Sequence, residues 1–337
     1  MDTKSARILV VGAGAIGGIT AGFLSKAGRN VRVADKNPAI VDRIRSEGLH
    51  VFGVGGEFRA SPPAYAGIEE VPEKIDVVLL ATKATTLPGV AEGLKPILHV
   101  GSRVVSLQNG ICEETIASVV GKDATVGCVI EWGGTMHAPG ELEMTSKGDF
   151  IIGRLDGQID DALRSVQEIL ESVRPTVIST NIMGHLYAKL VINSCITTLG
   201  AVSGLYLGKM LASRKVRVIF IDIIREAMAV AGAMGLKVEP VAHLNFNSFL
   251  AGRGLLGNLK RHVLIRLIGV KYRRLKSSSL QSLERGERTE IDYFNGYIGG
   301  KGRELGVPTL LNDRLVSMVK EIEAGTRPIS PANFATL

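Results

Sequence analysis

A glycine pattern near the start of the chain restricts the fold more than any other feature. Residues 8–24 are almost wholly apolar, and Gly12, Gly14, Gly17 and Gly18 break the run at set intervals. Residues 7–11 read as a short buried strand, and residues 19–27 as a helix closed by Gly28. A strand, a tight glycine turn and a helix, in that order, open a βαβ unit. Lys4 and Arg7 ahead of the run imitate a signal peptide, but the patterned glycines and the lack of a convincing cleavage site argue against one.

Gly12-Ala13-Gly14-Ala15-Ile16-Gly17 fits G-x-G-x-x-G in the strand-to-helix context that gives this motif its meaning. Gly12 suits the tight turn, Gly14 lets the backbone approach a pyrophosphate, and Gly17 lets the helix pack closely on the strand. Ala15 and Ile16 open that helix, whose free N–H groups and positive dipole end favour phosphate. The next strand, residues 31–34, ends at Asp35, where an acid accepts hydrogen bonds from the adenosine ribose of a dinucleotide. A carboxylate there repels a 2′-phosphate, so NADH is expected over NADPH. Lys36, directly after it, partly offsets that repulsion.

Further strands are expected at residues 76–81 and 103–107, and a helix at 38–47. Alternating strands and helices imply a parallel sheet with crossover helices. Beyond about residue 180 helical periodicity takes over, with long candidates at 216–234 and 283–305 and a stop at Gly306-Val307-Pro308. The expected organisation is a dinucleotide-binding Rossmann domain over residues 1–180 and an all-helical domain over residues 181–337. The uncharged stretch 190–208 is almost long enough to span a bilayer, but Asn193, Ser194, Thr197, Thr198 and Ser203 suit a helix buried in protein.

That stretch follows a second constellation. Lys189 and Asn193 lie four apart in apolar surroundings, and Thr197 lies four further on, so a helix places all three on one face. A lysine so placed is expected in a cleft or at an interface, and partial burial lowers its pKa into the range of a proton donor near neutral pH. A third cluster runs through Lys276-Ser277-Ser278-Ser279-Leu280-Gln281 and Thr289-Glu290-Ile291-Asp292 to Asn295-Gly296. By residue type alone it is a serine-rich cap followed by a helix.

Taken together, the glycine turn, Ala81-Thr82-Lys83, Gln108-Asn109-Gly110, Lys189 with Asn193, Ser278 before Leu280-Gln281, and Thr289-Glu290-Ile291-Asp292 resemble the ketopantoate reductase family over nearly the full chain. The resemblance implies a Rossmann domain joined to a helical domain similar to that of 6-phosphogluconate dehydrogenases, with the active site between them. It implies reduction of 2-dehydropantoate to pantoate with NADPH, a cytoplasmic step towards pantothenate and coenzyme A. Lys189 would be the general acid and Glu290 would position the substrate beside it. Asn193, Thr197 and Ser278 would hold polar groups of the substrate, with Asn109 at the nicotinamide end and Lys83 near the cofactor. The chain departs from the family at Thr197, Leu207 and Leu275, where the family carries asparagines, and at Asp35, where it carries an arginine.

Two rival functions share these residues: a related dehydrogenase acting on another small carboxylate, such as an opine or a 3-hydroxy acid, and a nucleotide sensor without catalysis. Lys189 and Glu290 argue against the sensor. The net charge is +7, and cations cluster between Arg253 and Lys276 among Leu, Ile and Val. That segment is expected to be a solvated helix face, with neither nucleic acid nor membrane as a partner. The expected partner is a small keto acid, and a homodimer stays open. Cys112, Cys128 and Cys195 lack metal-ligand spacing and are expected to be buried thiols; no metal site is expected.

Overall fold

A computed structural model of the chain describes residues 2–241, 244–252 and 254–337. Two compact units result, Met1–Leu186 and Tyr187–Leu337. In the first, short Val/Ile/Leu runs form strands β1 (Ile8–Val11), β2 (Val31–Ala34), β3 (Leu49–Gly53), β4 (Phe58–Ala60), β5 (Ala64–Tyr65), β6 (Val77–Leu80), β7 (Arg103–Ser106), β8 (Thr125–Ile130), β9 (Gly133–Ala138), β10 (Glu141–Ser146), β11 (Phe150–Arg154) and β12 (Thr176–Ile178). Helices α1 (Ala15–Lys26), α2 (Pro38–Glu47), α3 (Leu87–Leu94), α4 (Glu113–Val120) and α5 (Asp161–Glu171) connect them.

Eight strands make one sheet in the order β12-β11-β8-β7-β6-β1-β2-β5, and its pairs are parallel except β8 with β11. β1 lies between β6 and β2, with Ile8 beside Val77 and Val31, and β1, β6 and β8 are buried throughout. Burial on both faces is why these strands read as unbroken apolar runs rather than as alternation. The expected Rossmann architecture is present.

A second sheet, β4-β3-β10-β9, has no counterpart among the expected elements. It covers α1 through close approaches at glycines. A Cβ on Gly18 would lie 2.6 Å from Leu142 of β10, and one on Gly22 would lie 2.7 Å from Val51 of β3.

The second unit is helical, as expected. α6 (Ile182–Ser203) leads into it, followed by α7 (Leu207–Ala212), α8 (Arg214–Ala233), α9 (Phe246–Ala251), α10 (Gly254–Lys271), α11 (Ser278–Glu284), α12 (Asn295–Leu305) and α13 (Leu310–Glu323). α6 is long and apolar enough to cross a membrane, yet most of it is buried inside the protein. Two expected helices differ in extent. The helix expected over 190–208 ends at Ser203, because Gly204 turns the backbone left-handed at φ 72°. The helix expected over 283–305 is two, since Gly286 at φ 69° ends α11, and a short turn at Ile291–Tyr293 precedes α12. Gly306, in the left-handed region, caps α12 as the sequence indicates. The three cysteines are buried free thiols.

Candidate active site

The glycine turn sits at the carboxyl edge of the parallel sheet. Gly12 has φ 92°, and a Cβ there would lie 2.9 Å from the Thr82 amide nitrogen just past β6. A Cβ on Gly17 would run into the Gly12 carbonyl and lie 2.8 Å from the Ala81 Cβ. Both positions therefore need glycine to bring loop, helix and β6 together. Gly14 differs, because a Cβ there would meet no protein atom within 4 Å. Gly14 also begins α1 without a side-chain cap, and the first turn of α1, which contains Ala15 and Ile16, has no acid. Open space above a glycine, next to an uncapped helix N-terminus, fits a pyrophosphate held by backbone N–H groups.

Asp35 lies beside this turn. Its Oδ2 accepts from the Ala13 N–H at 2.6 Å and its Oδ1 from the Asn37 N–H at 2.8 Å. The carboxylate is thus fixed against the glycine loop and still has lone pairs to offer. Lys36 next to it is exposed. Lys83 is exposed at the end of β6 and begins a short turn, while Asn109 is half-buried past β7.

Four residues at this edge, Gln108, Thr82, Glu113 and Ser106, had not stood out as site residues. The Gln108 side-chain amide donates to the Thr82 carbonyl at 2.9 Å and to the Thr82 hydroxyl at 3.1 Å, joining the ends of β7 and β6 beneath the glycine turn. Glu113, the first residue of α4, is fully buried with Ser106. Its Cγ and the Ile182 and Leu186 side chains from the first turns of α6 crowd Gly127 of β8. Neither Glu113 oxygen makes a hydrogen bond of good geometry, although Ser106 and the backbone of Cys112 and Cys128 are its polar neighbours. Burial is the dominant influence and pushes the carboxyl up to about 7 against the pull of those neighbours. In sequence, Glu113-Glu114 looks like the acidic first turn of a helix. The one available signal is that Glu113 shares a helical face with Ile116, which is also buried.

In the helical unit, Lys189, Asn193, Thr197 and Gly200 fall within about 80° of one another around α6 at 3.6 residues per turn. Lys189 and Asn193 are half-buried, and Thr197 is buried with its hydroxyl donating to the Asn193 carbonyl at 2.8 Å. Ser277 packs against Gly200, where a Cβ would lie 2.8 Å from the serine Cβ. Ser277 is also the cap of α11, accepting from the Leu280 N–H at 3.2 Å, whereas Ser278 is exposed.

The segment carrying Glu290 is pinned at both ends. Thr289 donates its N–H and its hydroxyl to Glu323 Oε1 at 2.7 and 2.6 Å. Asn295 accepts from the Thr198 hydroxyl at 2.5 Å and donates to the Ser194 carbonyl at 3.3 Å and to Asn312 Oδ1 at 2.9 Å. Asn312 in turn donates to Glu226 at 2.6 Å. Two anchors six residues apart leave Glu290, half-buried, little freedom. Leu207 and Leu275 are also neighbours, joined by a 3.0 Å bond from the Leu207 N–H to the Leu275 carbonyl.

Known proteins resemble this chain over nearly its whole length. The family described as "Ketopantoate reductase PanE/ApbA" matches residues 8–157, and "Ketopantoate reductase PanE/ApbA C terminal" matches residues 181–323. The 2-dehydropantoate 2-reductase of Pyrococcus abyssi is 28% identical over 323 residues, which cover 94% of this chain and 98% of its own. A PanE/ApbA family ketopantoate reductase from Ralstonia eutropha JMP134 is 28% identical with a TM-score of 0.81, covering 95% of this chain and 99% of its own. D-mandelate dehydrogenase, solved with NADH and anilino(oxo)acetate, has the same fold at a TM-score of 0.82, with 22% identity and coverage of 95% and 99%. Two matched regions that together span most of the chain, in the order of its two units, establish that it belongs to the ketopantoate reductase family.

Proposed function

We propose that the chain is an NAD(P)H-dependent reductase of a small 2-keto acid, with 2-dehydropantoate the leading substrate. The observation that carries this reading is Lys189, a half-buried cation sharing one face of the apolar helix α6 with Asn193 and Thr197. A binding module has no use for an ammonium held there; a carbonyl reduction does. The bound nicotinamide supplies a hydride to the keto carbon. Lys189 stabilises the charge developing on the carbonyl oxygen and transfers a proton to it, leaving a neutral amine that solvent reprotonates. Glu290, held between the Thr289 and Asn295 anchors, positions the substrate, and Asn193 and Ser278 supply hydrogen bonds to its polar groups. Gly12 to Gly17 hold the pyrophosphate. Asp35, already fixed by Ala13 and Asn37, faces the adenosine ribose and favours NADH. Lys83 and Asn109 line the cofactor side.

One observation favours a less polar keto acid. Leu207 and Leu275 lie together and supply no side-chain hydrogen bond. A buried substrate hydroxyl left unpaired there would weaken binding by about 1–3 kcal/mol.

The test is cofactor oxidation with ketopantoate, its deoxy analogue and 2-ketoisovalerate, repeated with Lys189→Ala. The variant is expected to lose roughly 10²-fold or more in kcat while still binding dinucleotide. Turnover within a few-fold of the unmodified chain would remove Lys189 from its role. A lead for ketopantoate of roughly 10² or more would exclude the less polar substrate, and reduction of none of the three would end the keto-acid reading.

A further inference from the structure

Helix α10 is built inside out. Its buried face consists of Gly257, Arg261, Ile265 and Gly269, and the glycines let it pack tightly, with Gly257 against Gly252 and Gly269 against Leu211. The opposite face is apolar and exposed. Leu256, Leu259, Val263, Leu267 and Val270 form a stripe along it, with Leu255 at its edge, and Leu255 and Leu256 are 90% and 76% exposed. No acid occurs between Glu239 and Glu284. Around the helix, Lys260 and Lys271 flank the stripe on one side and Arg266 on the other. The segment was expected to be a solvated face; Lys260, Arg266 and Lys271 are exposed as expected, but Arg261 is buried and the leucines of the stripe are exposed.

The order of the stripe says what covers it. Counted from Val263, the apolar positions fall four residues away on each side, at Leu259 and Leu267, and seven away on each side, at Leu256 and Val270. The pattern is its own reverse. Two copies crossing antiparallel about a two-fold axis at Val263 set Val263 against its own copy, Leu259 against Leu267 and Leu256 against Val270. An isologous contact requires that self-complementarity, and a lipid surface does not. The exposed area of the stripe and its edge is on the order of 700 Å², close to the ~800 Å² per partner of a standard interface. A monomer that leaves such a patch in water is unusual. In the antiparallel pair Lys260, Arg266 and Lys271 stay on the rim, where they remain hydrated and repel weakly.

We propose that α10 is the centre of a symmetric homodimer interface, the helices pairing antiparallel about Val263. The rim charges give the dimer a signature: raising the salt screens their repulsion and tightens association, whereas binding to anionic lipid would weaken with salt.

The experiment uses the full chain in three forms. Light scattering should give about twice the 35.9 kDa of one chain for the unmodified protein. Val263→Glu should give a monomer whose circular dichroism is unchanged, since Val263 points to solvent in the single chain. Val263→Cys should form an intermolecular disulfide under mild oxidation, a clean readout because the three native thiols are buried. Leu256→Cys and Val270→Cys should cross-link efficiently only when mixed. A monomeric unmodified chain overturns the proposal, as does a dimer that survives Val263→Glu and forms no cross-link at position 263. A monomer that binds phosphatidylglycerol vesicles, and loses them with Val263→Glu, would also overturn it and assign the stripe to lipid.

Discussion

Glu113→Gln removes one ionisable group from the interior of the Rossmann unit, and the consequence is calculable. Burial raises the Glu113 carboxyl from 4.5 to about 7. Between those values the folded chain holds a proton that the unfolded chain has released. Stability therefore falls as pH rises, by about 1.4 kcal/mol per pH unit, until the folded carboxyl also ionises near pH 7. Glutamine has the same shape and does not titrate. The stability of Glu113→Gln relative to the unmodified chain should then climb by about 2–3 kcal/mol between pH 5 and pH 7.5 and level off above that. Trp132 provides the assay. It is the only tryptophan, it is buried in the same unit, and it meets Phe150 edge-on at 5.7 Å, so its fluorescence in urea follows the unfolding of that unit. A relative stability constant within about 0.5 kcal/mol across this range would refute the reasoning, because Glu113 would then titrate alike folded and unfolded.

Gly17→Ala forces a methyl group against the Gly12 carbonyl and Ala81; dinucleotide affinity should fall at least about tenfold, and a titration within twofold of the unmodified chain would contradict the close packing described. The ratio of kcat/KM for NADH to that for NADPH should exceed one and fall in Asp35→Ser; an NADPH preference in the unmodified chain would point instead to Lys36. Asn295→Ala leaves Thr198 and Asn312 without their buried partner and should destabilise the chain by about 2–4 kcal/mol in urea, whereas a change under about 0.5 kcal/mol would mean that water replaces the amide.

The parallel sheet was readable in sequence because burial on both faces leaves its strands as short runs of Val, Ile and Leu. The second sheet was not. β3 pairs with β10, placing Leu142 beside Val51, and no local pattern announces a partner some ninety residues away. The helix expected over 283–305 failed for a different reason: Gly286 is tolerable within a helical pattern, and only its positive φ shows that it ends one. At the candidate site, Gly12 and Gly17 were readable because close approach demands glycine, and Gly14 because it completes their spacing. Lys189 was readable because a cation in an apolar run stands out. Glu113 was hidden, since an acid at a helix start is ordinary on a surface. Asn295 was visible as part of a motif, but its contacts with Ser194, Thr198 and Asn312 belong to tertiary packing.

The glycines of α1 also constrain how the chain acquires its shape. Gly17, Gly18 and Gly22 each weaken an isolated helix by about 1 kcal/mol relative to alanine. They are tolerated because Ala81, Leu142 and Val51 close in on them. α1 is therefore a helix by enclosure rather than by inclination. Leu142 lies more than a hundred residues downstream, so a growing chain cannot complete the enclosure when α1 emerges. At ordinary rates of synthesis the delay is on the order of ten seconds. During that interval α1 lacks the Leu142 contact that closes over Gly18, and the most recognisable segment of the sequence is expected to be among the later parts of its unit to become firm.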